Sequence, residues 1–203
     1  MSWLERTELL VQKEGLEKLK KAHILVVGLG GVGSYAAEFI ARAGVGKMTI
    51  VDGDAFDETN KNRQLLALDS TIGQSKAQVL AARLKDINKE IELTVLETFL
   101  SPDSAYKIVS KEFDYVLDCI DSITPKVNLI VAARRKKVKI ISSMGAGGKL
   151  DATKIKIQDI SQTKNCTMAR VLRKRLKERK VNKGVKAVYS DEMQISGSLK
   201  MTD

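Results

Sequence analysis

The chain has little of what disulfide, zinc, membrane or histidine chemistry requires. Its 203 residues include two cysteines, Cys119 and Cys166, far apart and with no C-x-x-C pair, which argues against a disulfide framework and against a structural zinc site. The one histidine, His23, stands where a first strand would open, so histidine acid–base catalysis has no good candidate. No stretch approaches the ~18 consecutive apolar residues of a membrane helix. The start, Met1-Ser2-Trp3-Leu4-Glu5-Arg6, lacks the basic-then-apolar order of a secretion signal, and a cytosolic (cytoplasmic) protein with no membrane span is expected. There is no internal repeat.

Charge is plentiful and unevenly placed. The net charge is +10, and residues 164–186 carry ten basic side chains (Lys164, Arg170, Arg173, Lys174, Arg175, Lys177, Arg179, Lys180, Lys183 and Lys186) against one acid, Glu178. Nearly the whole excess therefore sits in one segment. Such a block suits a phosphate backbone, because Lys and Arg gain affinity by releasing condensed counterions; a solvated helix face is the plainer alternative. Aromatic residues are almost absent there, Tyr189 lying just beyond, so base stacking has little support.

Apolar runs alternate with helical patterns, as parallel βαβ units do. His23–Val27 reads as a strand entering a helix over about 32–43, which Gly44-Val45-Gly46 ends. Further strands are expected at Met48–Val51, Ile91–Leu96, Tyr115–Ile120 and Val138–Ser142, with helices at Ser75–Asn88 and Pro125–Lys136. Leu9, Leu10, Leu16 and Leu19 suggest an amphipathic N-terminal helix covering part of the core or a partner. Later, 154–158 and 185–189 read as short strands and 168–179 as a basic helix. The expected fold is α/β, a doubly wound and mostly parallel Rossmann-like sheet with an N-terminal helix and a basic C-terminal extension. Residues 1–160 would form a nucleotide-binding adenylation domain, and 161–203 a basic segment completing it and contacting RNA.

Gly28, Gly30 and Gly33 have the G-x-G-x-x-G spacing after a strand and before a helix, where backbone N–H groups and the helix dipole receive phosphate. Asp52, ending the second strand, is placed to bind ribose hydroxyls. On these features alone a nicotinamide-dependent oxidoreductase leads, with a merely structural glycine turn behind it. The following residues change that ranking. Asp54, Asn60, Arg63 and Gln64, then Lys76 and Asp121, supply cations for phosphate charge and a strand-end carboxylate for Mg²⁺, which suits ATP cleavage. Each has a plain alternative: a surface lysine, a loop salt bridge, a helix cap.

The runs Gly28-Leu29-Gly30-Gly31-Val32-Gly33-Ser34, Val51-Asp52-Gly53-Asp54, Thr59-Asn60-Lys61-Asn62-Arg63-Gln64, Gly73-Gln74-Ser75-Lys76 and Asp118-Cys119-Ile120-Asp121-Ser122 resemble the ubiquitin-activating-enzyme-like (ThiF/MoeB-like) superfamily over about residues 6–160. The resemblance implies that the glycine turn (Gly28, Gly30, Gly31, Gly33) binds ATP, that Asp52 binds ribose, that Asn60, Arg63 and Lys76 contact the triphosphate, and that Asp121 organises magnesium. It also implies a homodimer in which Arg6 reaches the neighbouring site, and it leaves a sulfurtransferase partner open. The absence of paired C-x-x-C motifs, together with Asp118–Lys126, Gly145–Asp151, the basic helix and Tyr189-Ser190-Asp191-Glu192, looks like the bacterial branch that dehydrates threonylcarbamoyladenosine in tRNA. That reaction adenylates the side-chain carboxylate and closes a ring without an enzyme nucleophile. The resemblance further implies more chain after Lys200-Met201-Thr202-Asp203.

Asn165-Cys166-Thr167-Met168 resembles the surroundings of the thioester cysteine in the modifier-activating branch, with Lys164 and Arg170 beside it to favour a thiolate. An adenylating enzyme for a ubiquitin-like or sulfur-carrier protein, using Cys166, is therefore the alternative. An oxidoreductase and an RNA-binding module with a vestigial nucleotide fold complete the set.

Overall fold

The structure is a computed structural model and describes residues 2–195 and Gly197. The last residues of the 161–203 segment, including Lys200–Asp203, lie outside the described residues. Seven strands form one sheet: β1 (His23–Val27), β2 (Lys47–Val51), β3 (Glu92–Leu96), β4 (Tyr115–Asp118), β5 (Ile140–Ser143), β6 (Ile155–Asp159) and β7 (Lys186–Ser190). Their spatial order is β3-β2-β1-β4-β5-β7-β6, and every neighbouring pair is parallel except β6 with β7. Strand order reverses between β1 and β4, which opens a crevice beyond their carboxyl ends.

Two apolar layers hold helices to the two faces. On one, α2 (Gly33–Arg42) and α3 (Lys76–Ile87) bury Ala37, Ala41, Leu80 and Leu84 against Val26, Met48 and Ile50. On the other, α4 (Pro102–Ile108), α5 (Ile123–Arg135) and α6 (Thr167–Glu178) pack Ala105, Leu129, Ile130, Leu172 and Leu176 against Leu25, Val27, Val116 and Ile140. Each fully buried Leu or Ile contributes roughly 1.5–3 kcal/mol. Burial on both faces is why β1 and β2 read as continuous apolar runs rather than alternating ones.

Most expected elements are present, with ends shifted by a few residues. The fourth strand stops at Asp118 because the chain turns there, Ile120 N–H donating to Asp118 Oδ1. The fifth starts at Ile140 because Val138 N–H still bonds to Ala133 at the end of α5. Helix α4 filled a gap in the sequence reading, although Ser101 caps it and Pro102 opens it.

The N-terminal helix, α1 (Glu5–Lys21), departs further from expectation. Gln12 is non-helical at φ 63°, so the helix is two pieces joined at a bend. Both Leu4 and Leu16 lie within reach of Gly44, whereas twelve residues of straight helix would separate them by about 18 Å. The bend folds the first piece back, burying Leu16 but leaving Leu9 and Leu10 in solvent. The expected apolar stripe of four leucines is thus broken at Gln12.

Candidate nucleotide site

The glycine turn has no room for a side chain at its first and last glycines. Gly28 has φ +84°, and a Cβ on it would lie 2.8 Å from the Cys119 carbonyl; a Cβ on Gly33 would lie 1.7 Å from the Gly28 oxygen. The turn is consequently pressed between the end of β4 and its own helix start. Ser34, buried, donates from Oγ to the Gly30 carbonyl at 2.7 Å, fixing the entry to α2.

Beneath the turn, Asp52 ties two segments together. Its Oδ2 accepts from Leu29 N–H at 2.6 Å and its Oδ1 from Asp54 N–H at 2.8 Å. Each oxygen keeps a further lone pair for an outside donor. Behind it, Phe99 sets its exposed ring against Gly53, an apolar face beside Asp52 that the sequence reading missed.

The segment after Asp57 packs on the turn from the other side. A one-turn 3-10 helix, Glu58–Asn60, is closed by a capping box in which Asn60 Oδ1 accepts from Asp57 N–H. That leaves the Asn60 amide nitrogen to donate elsewhere. Gly31 faces Arg63 Cγ and the Arg63 carbonyl at 3.3 Å, and Gly30 faces the Gln64 amide at 3.4 Å from where a Cβ would stand. Arg63 is exposed and commits only Nη1, to Thr59 O and Asn62 Oδ1. Gln64 is buried, its Oε1 without a hydrogen-bond partner.

Lys76, the first residue of α3, is buried, and its Nζ bonds Asp54 Oδ2 at 3.0 Å. Its backbone N–H also reaches the Asp54 carbonyl, so the 54–56 and 73–76 segments hold each other. Asp121 is exposed beyond β4, with Ser122 Oγ on its Oδ1 at 3.2 Å. The loop carrying it is pinned by a fully buried ion pair: Lys126 Nζ lies 3.0 Å from Asp118 Oδ2 and donates to the Ile120 carbonyl at 2.7 Å. Ser142 Oγ donates to the same Asp118 oxygen at 2.5 Å. Burial pushes the Asp118 carboxyl up, and Lys126 and Ser142 oppose that rise. Both Asp118 and Lys126 lie in the motif run, but their pairing depends on how α5 packs on β4.

Two candidates stand apart. Arg6 is exposed, and Leu4 next to it packs on Gly44, past the far end of α2 and about 15 Å along that helix from the turn. Cys166, the thioester cysteine of the alternative reading, is buried in the core as the N-cap of α6, its Sγ accepting from Ala169 N–H at 3.5 Å. A thiol enclosed in that way is not presented to a carrier protein. Cys119, also packed away at the end of β4, has its thiol pushed up to about 12 by burial and by neighbouring Asp118.

A glycine turn at the switch point of a doubly wound sheet, with Arg63 packed on it and carboxylates at the strand ends, has the form of a nucleotide-binding α/β domain. The chain belongs to the ThiF family, whose model matches residues 4–197. It is 44% identical to the tRNA threonylcarbamoyladenosine dehydratase of Bacillus subtilis (strain 168), over 94% of this chain and 75% of that protein. It is 38% identical to the molybdopterin-synthase adenylyltransferase of Salmonella typhimurium over 64% of this chain and 51% of that one. The crystal structure of E. coli tRNA N6-threonylcarbamoyladenosine dehydratase in complex with ATP superimposes with a TM-score of 0.91 at 40% identity, covering 96% of this chain and 83% of that one.

Proposed function

We propose that the chain catalyses the ATP-dependent dehydration of threonylcarbamoyladenosine in tRNA to its cyclic form. The observation that carries this reading is the seating of Arg63 and Gln64 directly on Gly31 and Gly30. An arginine whose stem and backbone pack on the phosphate turn, its exposed guanidinium engaged only through Nη1, suits charge developing at phosphorus, which hydride transfer does not require. Likeness to dehydratases across 94% of the chain favours tRNA over a carrier protein, and the buried Cys166 points the same way.

In this reading the substrate carboxylate attacks the α-phosphorus of ATP and pyrophosphate leaves. A nitrogen of the same side chain then attacks the activated carbonyl and AMP departs, so one water is lost overall. Asp52 holds the ribose, Gly28, Gly30, Gly31 and Gly33 hold phosphate by backbone N–H groups, and Asn60, Arg63 and Lys76 bind the triphosphate. Asp54 holds Lys76 until phosphate arrives, and Gln64 supports the turn. Asp121 fits magnesium: one of its carboxylate oxygens has no partner among the described residues, and this cation takes one or two carboxylates besides phosphate and water. When bound, the ion neutralises phosphate charge.

Arg6 completes the site of a second copy, since the bend in α1 carries it away from its own turn. The exposed Tyr35 and Phe39 on α2, with Leu9 and Leu10, offer that homodimer an apolar surface. The basic face of α6, Arg170, Lys174, Arg175 and Lys177, turns outward over buried Ala169, Leu172 and Leu176 and meets RNA. No helix of the described residues is long and apolar enough to cross a membrane. A cytoplasmic setting and a sulfurtransferase partner are part of the same proposal.

The test is mass spectrometry of tRNA nucleosides after incubation with the protein and ATP. Threonylcarbamoyladenosine should lose one water, with AMP formed in step. Unchanged nucleoside, alongside ATP–pyrophosphate exchange driven by a carrier ending in glycine, would overturn the reading in favour of carrier activation.

A further inference from the structure

Two cavities, of about 340 and about 510 Å³, meet where the last turns of α5 and α6 come together. They share Arg135 and Arg179, so they form one groove. Arg134, Lys180 and Lys183 line its second half, and none of these five cations has an ion-pair partner among the described residues. One acid, Asp103, stands at the opposite rim beside Lys107.

The groove is a constructed feature of the fold. Lys180, at φ 62°, ends α6 and sends the chain back over α5, where Val181 N–H bonds to the Leu176 carbonyl. Gly184, at φ +86°, leaves room for Arg134: a Cβ there would lie 2.5 Å from its Nη2. The arginine consequently lies against bare backbone rather than against a carboxylate. In the wall of the first cavity, Asn128 is buried and its Nδ2 has no hydrogen-bond partner. A buried donor without a partner is uncommon, and this one lies in a cavity that Lys107, Arg135 and Arg179 also line.

Position and shape identify the ligand. The α5 helix runs from beside Asp121 to Arg135, thirteen residues or about 20 Å, so the groove is at the far end of the helix from the reacting centre. The cations are strung along two joined cavities instead of converging on one point, as successive phosphates of a strand require. Resting on the dehydratase reading, we propose that this groove binds the phosphate backbone of the tRNA body about 20 Å from the modified adenosine.

The test uses full-length tRNA carrying threonylcarbamoyladenosine, with Arg135→Gln, Arg179→Gln and Lys183→Gln combined. The KM for tRNA should rise tenfold or more, while kcat and the KM for ATP stay within twofold. The slope of log affinity against log salt should become shallower by about two to three, one contact per cation removed. A charge-preserving variant, Arg135→Lys with Arg179→Lys, should keep most of the slope, which a purely structural role for the arginines would not allow. An unchanged slope and KM in the triple variant would overturn the proposal. If the wild-type protein turned over no tRNA at all, the dehydratase reading would fall, and the salt slope of tRNA binding would still decide for or against the groove.

Discussion

Two aspartate–lysine pairs lie at the carboxyl end of the central strands, each with the same 3.0 Å contact, and they differ almost only in burial. In Asp118–Lys126 both side chains are wholly enclosed; in Asp54–Lys76 the lysine is 8% exposed and the aspartate 53%. Every polar atom of the enclosed pair has a further protein partner, Ser142 and Ile120 N–H on the carboxylate and the Ile120 carbonyl on the ammonium. Neither member can leave without stranding a charge out of water, so the pair holds the turn that carries Asp121. Water already competes for Asp54, and under the proposed function exchanging that carboxylate for a phosphate would cost Lys76 little. Identical bond lengths thus serve as a fixed rivet in one place and a releasable latch in the other.

The largest expected effect breaks the rivet. Lys126→Ala leaves Asp118 buried and uncompensated and should cost about 3–5 kcal/mol of stability, read as a shift of the urea midpoint. Replacing both partners, Asp118→Asn with Lys126→Met, should recover much of that loss, because the penalty lies in the unpaired charge. A single-variant cost below about 1 kcal/mol would put this pair in the class of exposed ones and erase the contrast.

Next in size is the latch. Lys76→Ala should lower AMP formation by about 10²–10³, the usual consequence of deleting one preorganised group at a charged transition state. Stability should change by less than about 1 kcal/mol, since the partner left behind is half in water. Loss of stability on the scale of the Lys126 variant, with activity per folded molecule intact, would reverse the two roles.

The contrast also explains what could be read from the chain. Gly28 and Gly33 were legible because local backbone geometry demands glycine there: 2.8 Å and 1.7 Å approaches exclude any Cβ. Strands β1 and β2 were legible because burial on both faces writes itself as an apolar run. Asp54 and Lys76 stood out as residue types in order, though their mutual bond was not visible. Asp118 and Lys126 appeared only as motif letters, since their pairing is made by α5 folding back on β4. The bend at Gln12 left no trace either. A glutamine at φ 63° carries no glycine or proline signal, and only the shared packing of Leu4 and Leu16 on Gly44 gives it a cause. The basic groove was half legible: Arg179, Lys180 and Lys183 belong to the charged run, whereas Arg134 and Arg135 join them only through the packing of α5 on α6.

The smallest expected effect comes from a third ionic contact, intermediate in burial, which tests whether burial alone orders the series. Glu38 of α2 is enclosed, while its partners Arg42 and Arg83 are 49% and 41% exposed. The hydrogen bond from Arg83 Nε at 2.5 Å, helped by Arg42 and opposed by burial, holds the Glu38 carboxyl below its ordinary value. A carboxyl lowered by folding stabilises the protein fully above its unfolded value, and the contribution is lost as pH falls through the folded one. Glu38→Gln should therefore cost about 1 kcal/mol near neutrality, less than a wholly buried pair because the arginines remain hydrated. The gap in unfolding midpoint between wild type and Glu38→Gln should narrow steadily as pH drops below the ordinary glutamate value of 4.5. A gap that stayed constant into acid would mean that Glu38 joins α2 to α3 by shape and neutral hydrogen bonding, and burial would then not be the quantity that separates the rivet from the latch.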